Sequence, residues 1–196
     1  MSREATDIRQ EQIKKAVLDI IADEGLHNLS TRNLAKRVGL SEGAIFRHFP
    51  TKRDIIKGIM DDVAANLIGA LRTIALKPVK AEDKLFEYLC RNVTYLKENR
   101  GITILLFSEA AHLGDNELKG KLNQILTEQK QFIIKIVKDG ITEGVWDKNV
   151  NAEDVAVIYM GIPITFNIEL VLNKSGLNVE NFCKRMYTLI LRSLKK

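Results

Sequence analysis

Between residues 31 and 57 seven cationic side chains (Arg32, Lys36, Arg37, Arg47, Lys52, Arg53 and Lys57) stand against two anions, Glu42 and Asp54. The chemistry such a cluster offers is anion binding, and ammonium and guanidinium groups at this density suit the phosphates of a nucleic acid. The window carries +5, which equals the formal net charge of the whole chain, so the remainder sums to zero. Arg47 and His48 can reach phosphate oxygens, and Lys52 adds a further cation. Gly43 and Ala44 are small enough to let a backbone approach bases closely, and Glu42 can accept from a cytosine amino group. Catalytic chemistry is not assembled. His27, His48 and His112 lack the spacing that gathers a metal, and His112 with Asp115 would supply half a site at most. Ser108 and Glu109 have no glycine elbow or histidine partner, and neither a P-loop nor a dinucleotide glycine fingerprint is present. The chain is expected not to be an enzyme and to need no cofactor.

The elements that must hold these cations are short helices. Ser30 is a good N-cap, and Leu34, Ala35 and Val38 follow at the spacing of one buried helix face. Gly39 suits the left-handed residue that closes a helix. Ser41 caps a second helix, on which Ile45 and Phe49 share a face. That leaves Glu42, Gly43, Ala44, Arg47 and His48 exposed. Pro50 ends this helix and Thr51 caps the next. Upstream, a helix over about 7 to 24 buries Ile13, Ala16, Val17, Ile20 and Ile21, and residues 1 to 5 read as disordered. Three helices with a tight turn between the last two make a helix-turn-helix, whose second helix enters the DNA major groove.

The stretch Ser30-Thr31-Arg32-Asn33-Leu34-Ala35-Lys36-Arg37-Val38-Gly39-Leu40-Ser41, followed by Ala44-Ile45-Phe46-Arg47-His48-Phe49-Pro50-Thr51-Lys52, resembles the DNA-binding domain of the Tet repressor (TetR) family of bacterial regulators. The likeness covers about residues 6 to 60 at motif level, and the rest of the chain by length and helical pattern. It implies a homodimer that places the recognition helix of each protomer in one half of a palindromic operator in double-stranded DNA. By the same resemblance Thr31 contacts phosphate, Arg32 can reach a base, and Glu42, Gly43 and Ala44, after the cap Ser41, face bases. His48 and Lys52 match phosphate-binding positions, and Arg47 is free for either purpose. Phe46 stands where the family usually has tyrosine, so a phosphate-directed hydroxyl is replaced by van der Waals contact.

Beyond Thr51 the pattern stays helical. One helix of about 25 residues ends before Pro78, roughly 37 Å long at about 1.5 Å per residue, and would mechanically link the two halves. Helices are expected at about 81 to 98, 101 to 112, 115 to 139, 152 to 173 and 178 to 194, punctuated by Gly101, Gly114, Gly140, Gly144 and Gly176. The run from Val155 to Phe166 is nearly all apolar but spans twelve residues, where a membrane helix needs about twenty. It reads instead as a helix buried on several sides, which with the last helix would form a four-helix dimer interface. Cys90 and Cys183 have no partner spacing and read as reduced core thiols. The N-terminus has no uninterrupted apolar stretch of a signal peptide, so a cytoplasmic protein is expected, with no membrane partner.

The expected class is all-α: a three-helix DNA-binding domain over 1–51, with its recognition motif at 30–49, and a larger ligand-binding and dimerisation domain over 52–196. The resemblance implies a cavity there for a small hydrophobic or amphipathic effector. Phe86, Tyr88, Leu106, Phe107, Phe132, Trp146, Tyr159, Met160 and Phe166 are candidates to line it, and each would serve equally as core. The expected function is a ligand-responsive transcriptional regulator, a repressor released from its operator by the effector. The alternative is a DNA-binding adaptor controlled by a protein partner.

Overall fold

The computed structural model describes residues 3–112, 114–173 and 178–195; Gly176 lies outside them. Among these residues the secondary structure is helical and no strand occurs. The helices are α1 (Arg3–Glu24), α2 (Thr31–Val38), α3 (Glu42–His48), α4 (Lys52–Asp62), α5 (Gly69–Leu76), α6 (Ala81–Glu98), α7 (Ile102–His112), α8 (Asn116–Thr142), α9 (Ala152–Asn173) and α10 (Val179–Leu194). A π-helical stretch, Val63–Ile68, separates α4 from α5. The chain from 52 to 76 is therefore helical throughout but not uniform, since a π turn closes one residue wider than an α turn. The first helix also begins earlier than expected, at Arg3, because nothing in residues 3–6 breaks a helix.

Two compact units result: residues 1–62 with 99–122, and residues 63–98 with 123–196. The sequence-based division at 51/52 falls inside the first of them. In that unit α1 packs on α2, α3, α4 and α7. Ile13, Val17, Ile20, Ile21, Leu34, Ile45, Ile56 and Met60 fill its core. Gly101, just ahead of α7, lies so close to α1 that a Cβ there would sit 2.5 Å from the Leu18 carbonyl oxygen and 2.9 Å from Ile21 Cβ. Arg100 adds an ion pair to Asp23 at 3.1 Å.

The second unit is arranged about α6, against which α5, α9 and α10 pack. Several of its buried polar side chains are paired, as burial favours. The Tyr159 hydroxyl donates to the Leu85 carbonyl, Asn167 Nδ2 to the Leu96 carbonyl at 2.6 Å, and the Tyr187 hydroxyl to the Glu82 carbonyl at 2.8 Å. Tyr88 donates to the Gln129 carbonyl at 3.2 Å, and Asn92 Nδ2 to Gln129 Oε1 at 3.0 Å. Helix α9 continues through Pro163 and, with a mean hydropathy of 1.9 over its most apolar 18 residues, is long and apolar enough to cross a membrane by length and composition. One side of it faces α6 through Tyr159 and Asn167. Val157, Ile158, Ile168 and Leu172 stand exposed along it, Leu172 by 73%.

Candidate nucleic-acid interface

The helix-turn-helix is closed by its own sequence. Ser30 adopts an extended backbone and its hydroxyl accepts from the Asn33 N–H at 3.1 Å, one of the donors a helix start leaves unpaired. Gly39 takes φ 66° and ψ 37°, the left-handed conformation that costs a Cβ-bearing residue energy, and Leu40 N–H reaches back to the Ala35 carbonyl at 2.9 Å. Ser41 then caps α3 by accepting from Ala44 N–H at 3.2 Å. Thr51 and Asp54 form a reciprocal cap on α4: Thr51 N–H donates to Asp54 Oδ2 at 3.0 Å, and Asp54 N–H to Thr51 Oγ1 at 3.2 Å.

Helix α3 turns Ile45 and the following Phe49 into the core and leaves Glu42, Gly43, Phe46 and Arg47 exposed. A Cβ placed on Gly43 would meet nothing within 4 Å, so its backbone is open to a partner. Two residues differ from expectation. Ala44 is buried, with 9% of its surface exposed, because it lies beside Ile45 on the inward edge of α3. His48 is only half exposed; its Nδ1 is enclosed without a hydrogen-bond partner among the described residues, and its carbonyl accepts from Gln10 Nε2 at 3.0 Å. Thr31, Phe46 and Lys52 are brought together around a crevice of about 30 Å³, with Leu34, Ile45 and Ile56 as part of its floor. Ser41 and Arg32 are exposed on the same helix pair.

The cations are not equally available. Four of the seven are engaged: Arg37 with Asp23 and Glu24, Lys52 with Glu109, Arg53 with Asp115 and Glu117, and Lys57 with Glu117. Among the described residues Arg32, Lys36 and Arg47 have no ion pair. The Arg53 guanidinium, helped by backbone N–H groups of Leu118 and Glu117, holds the Asp115 carboxyl at about 2. Lys57 and then Arg53 hold Glu117 low as well. Asp115 also caps α8, its Oδ1 accepting from Glu117 N–H at 2.9 Å and Leu118 N–H at 3.1 Å. Three acidic residues from around α7 and the α8 start thus grip the first turns of α4. Sequence inspection missed Glu109, Asp115 and Glu117 in this role, because partners so far along the chain leave no local signal. The side chain of His112, considered above with Asp115, lies outside the described residues.

The residues expected to line an effector cavity are divided between the two units. Of the nine, Phe86, Tyr88, Phe132, Trp146, Tyr159, Met160 and Phe166 belong to the second unit, whereas Phe107 belongs to the first and is exposed. Leu106 is buried in the first unit. Tyr88 and Tyr159 meet with ring centroids 6.3 Å apart, and burial pushes both phenols above their ordinary range. Phe166 packs on Phe182 at 4.6 Å and Phe86 on Tyr187 at 5.1 Å. The Trp146 ring presses on Gly140, where a Cβ would lie 2.2 Å from it, and its indole N–H has no partner among the described residues. Phe132 lies under the Arg72 guanidinium at 5.9 Å.

A capped pair of short helices with a cationic exposed face defines a helix-turn-helix DNA-binding regulator. Comparison with known proteins identifies the family. A profile described as "Bacterial regulatory proteins, tetR family" matches residues 13–59, and one described as "YsiA-like protein, C-terminal region" matches residues 65–193. The chain belongs to the TetR family of bacterial transcriptional regulators. It is 25% identical over 123 residues to the nucleoid occlusion factor SlmA of Actinobacillus pleuropneumoniae, an alignment covering 62% of this chain and 61% of that protein. The chain thus spans about three-fifths of the length of the curated relatives it matches. The ketosteroid transcriptional regulator KstR2 of Mycobacterium tuberculosis shares the fold with a TM-score of 0.81, at 15% identity and covering 96% of this chain and 95% of that one. The transcriptional regulator FadR from Bacillus subtilis, in complex with stearoyl-CoA, does so with a TM-score of 0.72 at 20% identity, covering 92% and 97%.

Proposed function

We propose that this regulator is a homodimeric repressor released from a palindromic operator by a small hydrophobic or amphipathic effector. Residues 1–51 bind DNA, and residues 52–196 bind the effector and the second copy. The observation that carries the DNA contact is the open face of α3, formed by Glu42, Gly43, Phe46 and Arg47, with Thr31, Arg32 and Lys52 beside it. Ser41 caps this helix, Ala44 contributes backbone and His48 an edge. Two such faces read two half-sites about one turn, roughly 34–36 Å, apart or a little more.

The second copy covers the exposed apolar residues of α9, Val157, Ile158, Ile168 and Leu172, together with Leu189 of α10. An apolar surface of this extent is costly to leave in water. The effector occupies the second unit among Phe86, Phe132, Met160, Phe166 and their neighbours; the profile match over 65–193 and the fold shared with an acyl-CoA-bound regulator support that choice. Release requires that the effector bind the DNA-free state more tightly, since equal affinity shifts nothing.

A second reading is favoured by the curated relatives, which are nucleoid occlusion factors: a DNA-bound adaptor whose second unit answers to a protein. One experiment separates the two. An operator is selected from random duplex DNA, and its affinity is measured by fluorescence anisotropy while long-chain acyl-CoA is titrated. The repressor proposal expects weakening with a saturable midpoint. Affinity unchanged at saturating, demonstrably bound ligand would sink it. Sedimentation at twice the 22.2 kDa chain mass is expected throughout.

A further inference from the structure

Cys90 and Cys183, which the sequence presents as unrelated thiols, face each other across α6 and α10. The register of the two helices sets this. Phe86 of α6 meets Tyr187 of α10 with ring centroids 5.1 Å apart, and Tyr187 donates to the Glu82 carbonyl at 2.8 Å. Lys195 pairs with Glu82 at 2.9 Å, so the helices run antiparallel. One turn further along α6 from Phe86 is Cys90, and one turn back along α10 from Tyr187 is Cys183. That register brings the two sulfurs near enough for each to shift the other's titration.

The pair is asymmetric. Cys183 is completely buried, whereas Cys90 is half exposed. The neighbouring Cys183 draws the Cys90 thiol below its ordinary value; Lys184 acts in the same direction, against burial and Glu180. Cys90 and burial push the Cys183 thiol up. A partly accessible thiol with a lowered pKa beside a shielded one is the arrangement of an attacking and a resolving cysteine.

We infer that Cys90 and Cys183 form a hydroperoxide-reactive dithiol that closes to a disulfide between α6 and α10. The Cys90 thiolate attacks the distal oxygen of a hydroperoxide; the O–O bond breaks, and the alcohol (or water) leaves with the proton Cys90 gave up. Cys90 becomes a sulfenic acid. The Cys183 sulfur then attacks the Cys90 sulfur, the S–O bond breaks, and the hydroxide leaves as water with the Cys183 proton. Each sulfur gives up one electron, and the peroxide takes two. The inference does not depend on the identity of the DNA site or of the effector.

The test uses the full chain and hydrogen peroxide. One equivalent is expected to lower the intact mass by two hydrogens, remove all thiols titratable in denaturant, and join the Cys90 and Cys183 peptides in a digest. A thiol reductant should reverse all three. Cys183→Ser should instead accumulate a Cys90 sulfenic acid that a cyclic diketone traps, and in Cys90→Ser the remaining Cys183 should be inert over the same interval, with helicity checked by circular dichroism. Disulfides between chains, or oxidation of Cys90 to sulfinic acid while Cys183 stays free, would overturn the inference. So would Cys183 reacting as fast as Cys90 in the folded protein.

Discussion

Lys52 Nζ lies 2.9 Å from Glu109 Oε1, with the lysine side chain half exposed and the carboxylate 9% exposed. A cation assigned to a phosphate is thus already held by a nearly buried acid from α7. On binding, phosphate must share or displace that partner.

The consequence is measurable in the salt dependence of DNA binding, which counts the phosphates neutralised. Lys52→Ala is expected to weaken binding to all sequences alike and to reduce the salt slope by less than one unit. On a Glu109→Gln background, where the lysine charge is no longer shared, the same substitution should reduce it by about one. Anisotropy titrations at four salt concentrations would decide. A full unit lost in both backgrounds means that Glu109 does not compete.

Arg32 is exposed and without an ion pair among the described residues. Arg32→Ala should change which base is preferred at one position of each half-site, at a cost of about 1–3 kcal/mol. Competition among operator variants measures it, and a uniform loss across all variants would reassign Arg32 to phosphate.

Acid should loosen the grip on α4. Asp115 is held at about 2, below its ordinary 3.8, foremost by Arg53. A carboxyl depressed in the folded state adds stability that is complete above its unfolded value and lost as pH falls through its folded one. Melting temperature should therefore fall between pH 3.8 and about 2 in part through this pair, and Asp115→Asn should flatten that limb. The Arg53 side chain is 40% exposed and so solvent-screened, and the change is small. An identical acid limb in the variant would show that the pair does not contribute.

Gly101→Ala probes the contact of α7 with α1. The added methyl would sit 2.5 Å from a backbone oxygen, which cannot swing aside. Destabilisation of about 3 kcal/mol, at the upper end of overpacking costs, is expected in urea melts. A loss under about 0.5 kcal/mol, the range of surface changes, would mean that α7 shifts freely.

The short-range features were legible in the sequence. Ser30, Ser41 and Thr51 act as caps, Gly39 takes the left-handed turn, and the apolar stripe of α1 is buried, because each depends on neighbours within one or two turns. The exposed face of α3 was legible in outline; Ala44 was misplaced because a seven-residue helix is too short for its period to separate the inward edge from the outward face. What pairs Lys52 with Glu109, or Cys90 with Cys183, is the packing of helices distant in sequence. The π turn at Val63–Ile68 likewise has no sequence mark, since its residues are ordinary helix formers.

The first compact unit closes only when residues 99–122 join residues 1–62. During synthesis the chain must make the intervening stretch of the other unit before Gly101 can settle on Leu18 and Ile21. At about 5–20 residues per second, that delay is roughly 2–7 s. For that interval the nascent helix-turn-helix carries an uncovered apolar flank that a chaperone could occupy. The same connectivity means that a fragment ending at residue 62 would lack the packing of Gly101 on Leu18 and Ile21.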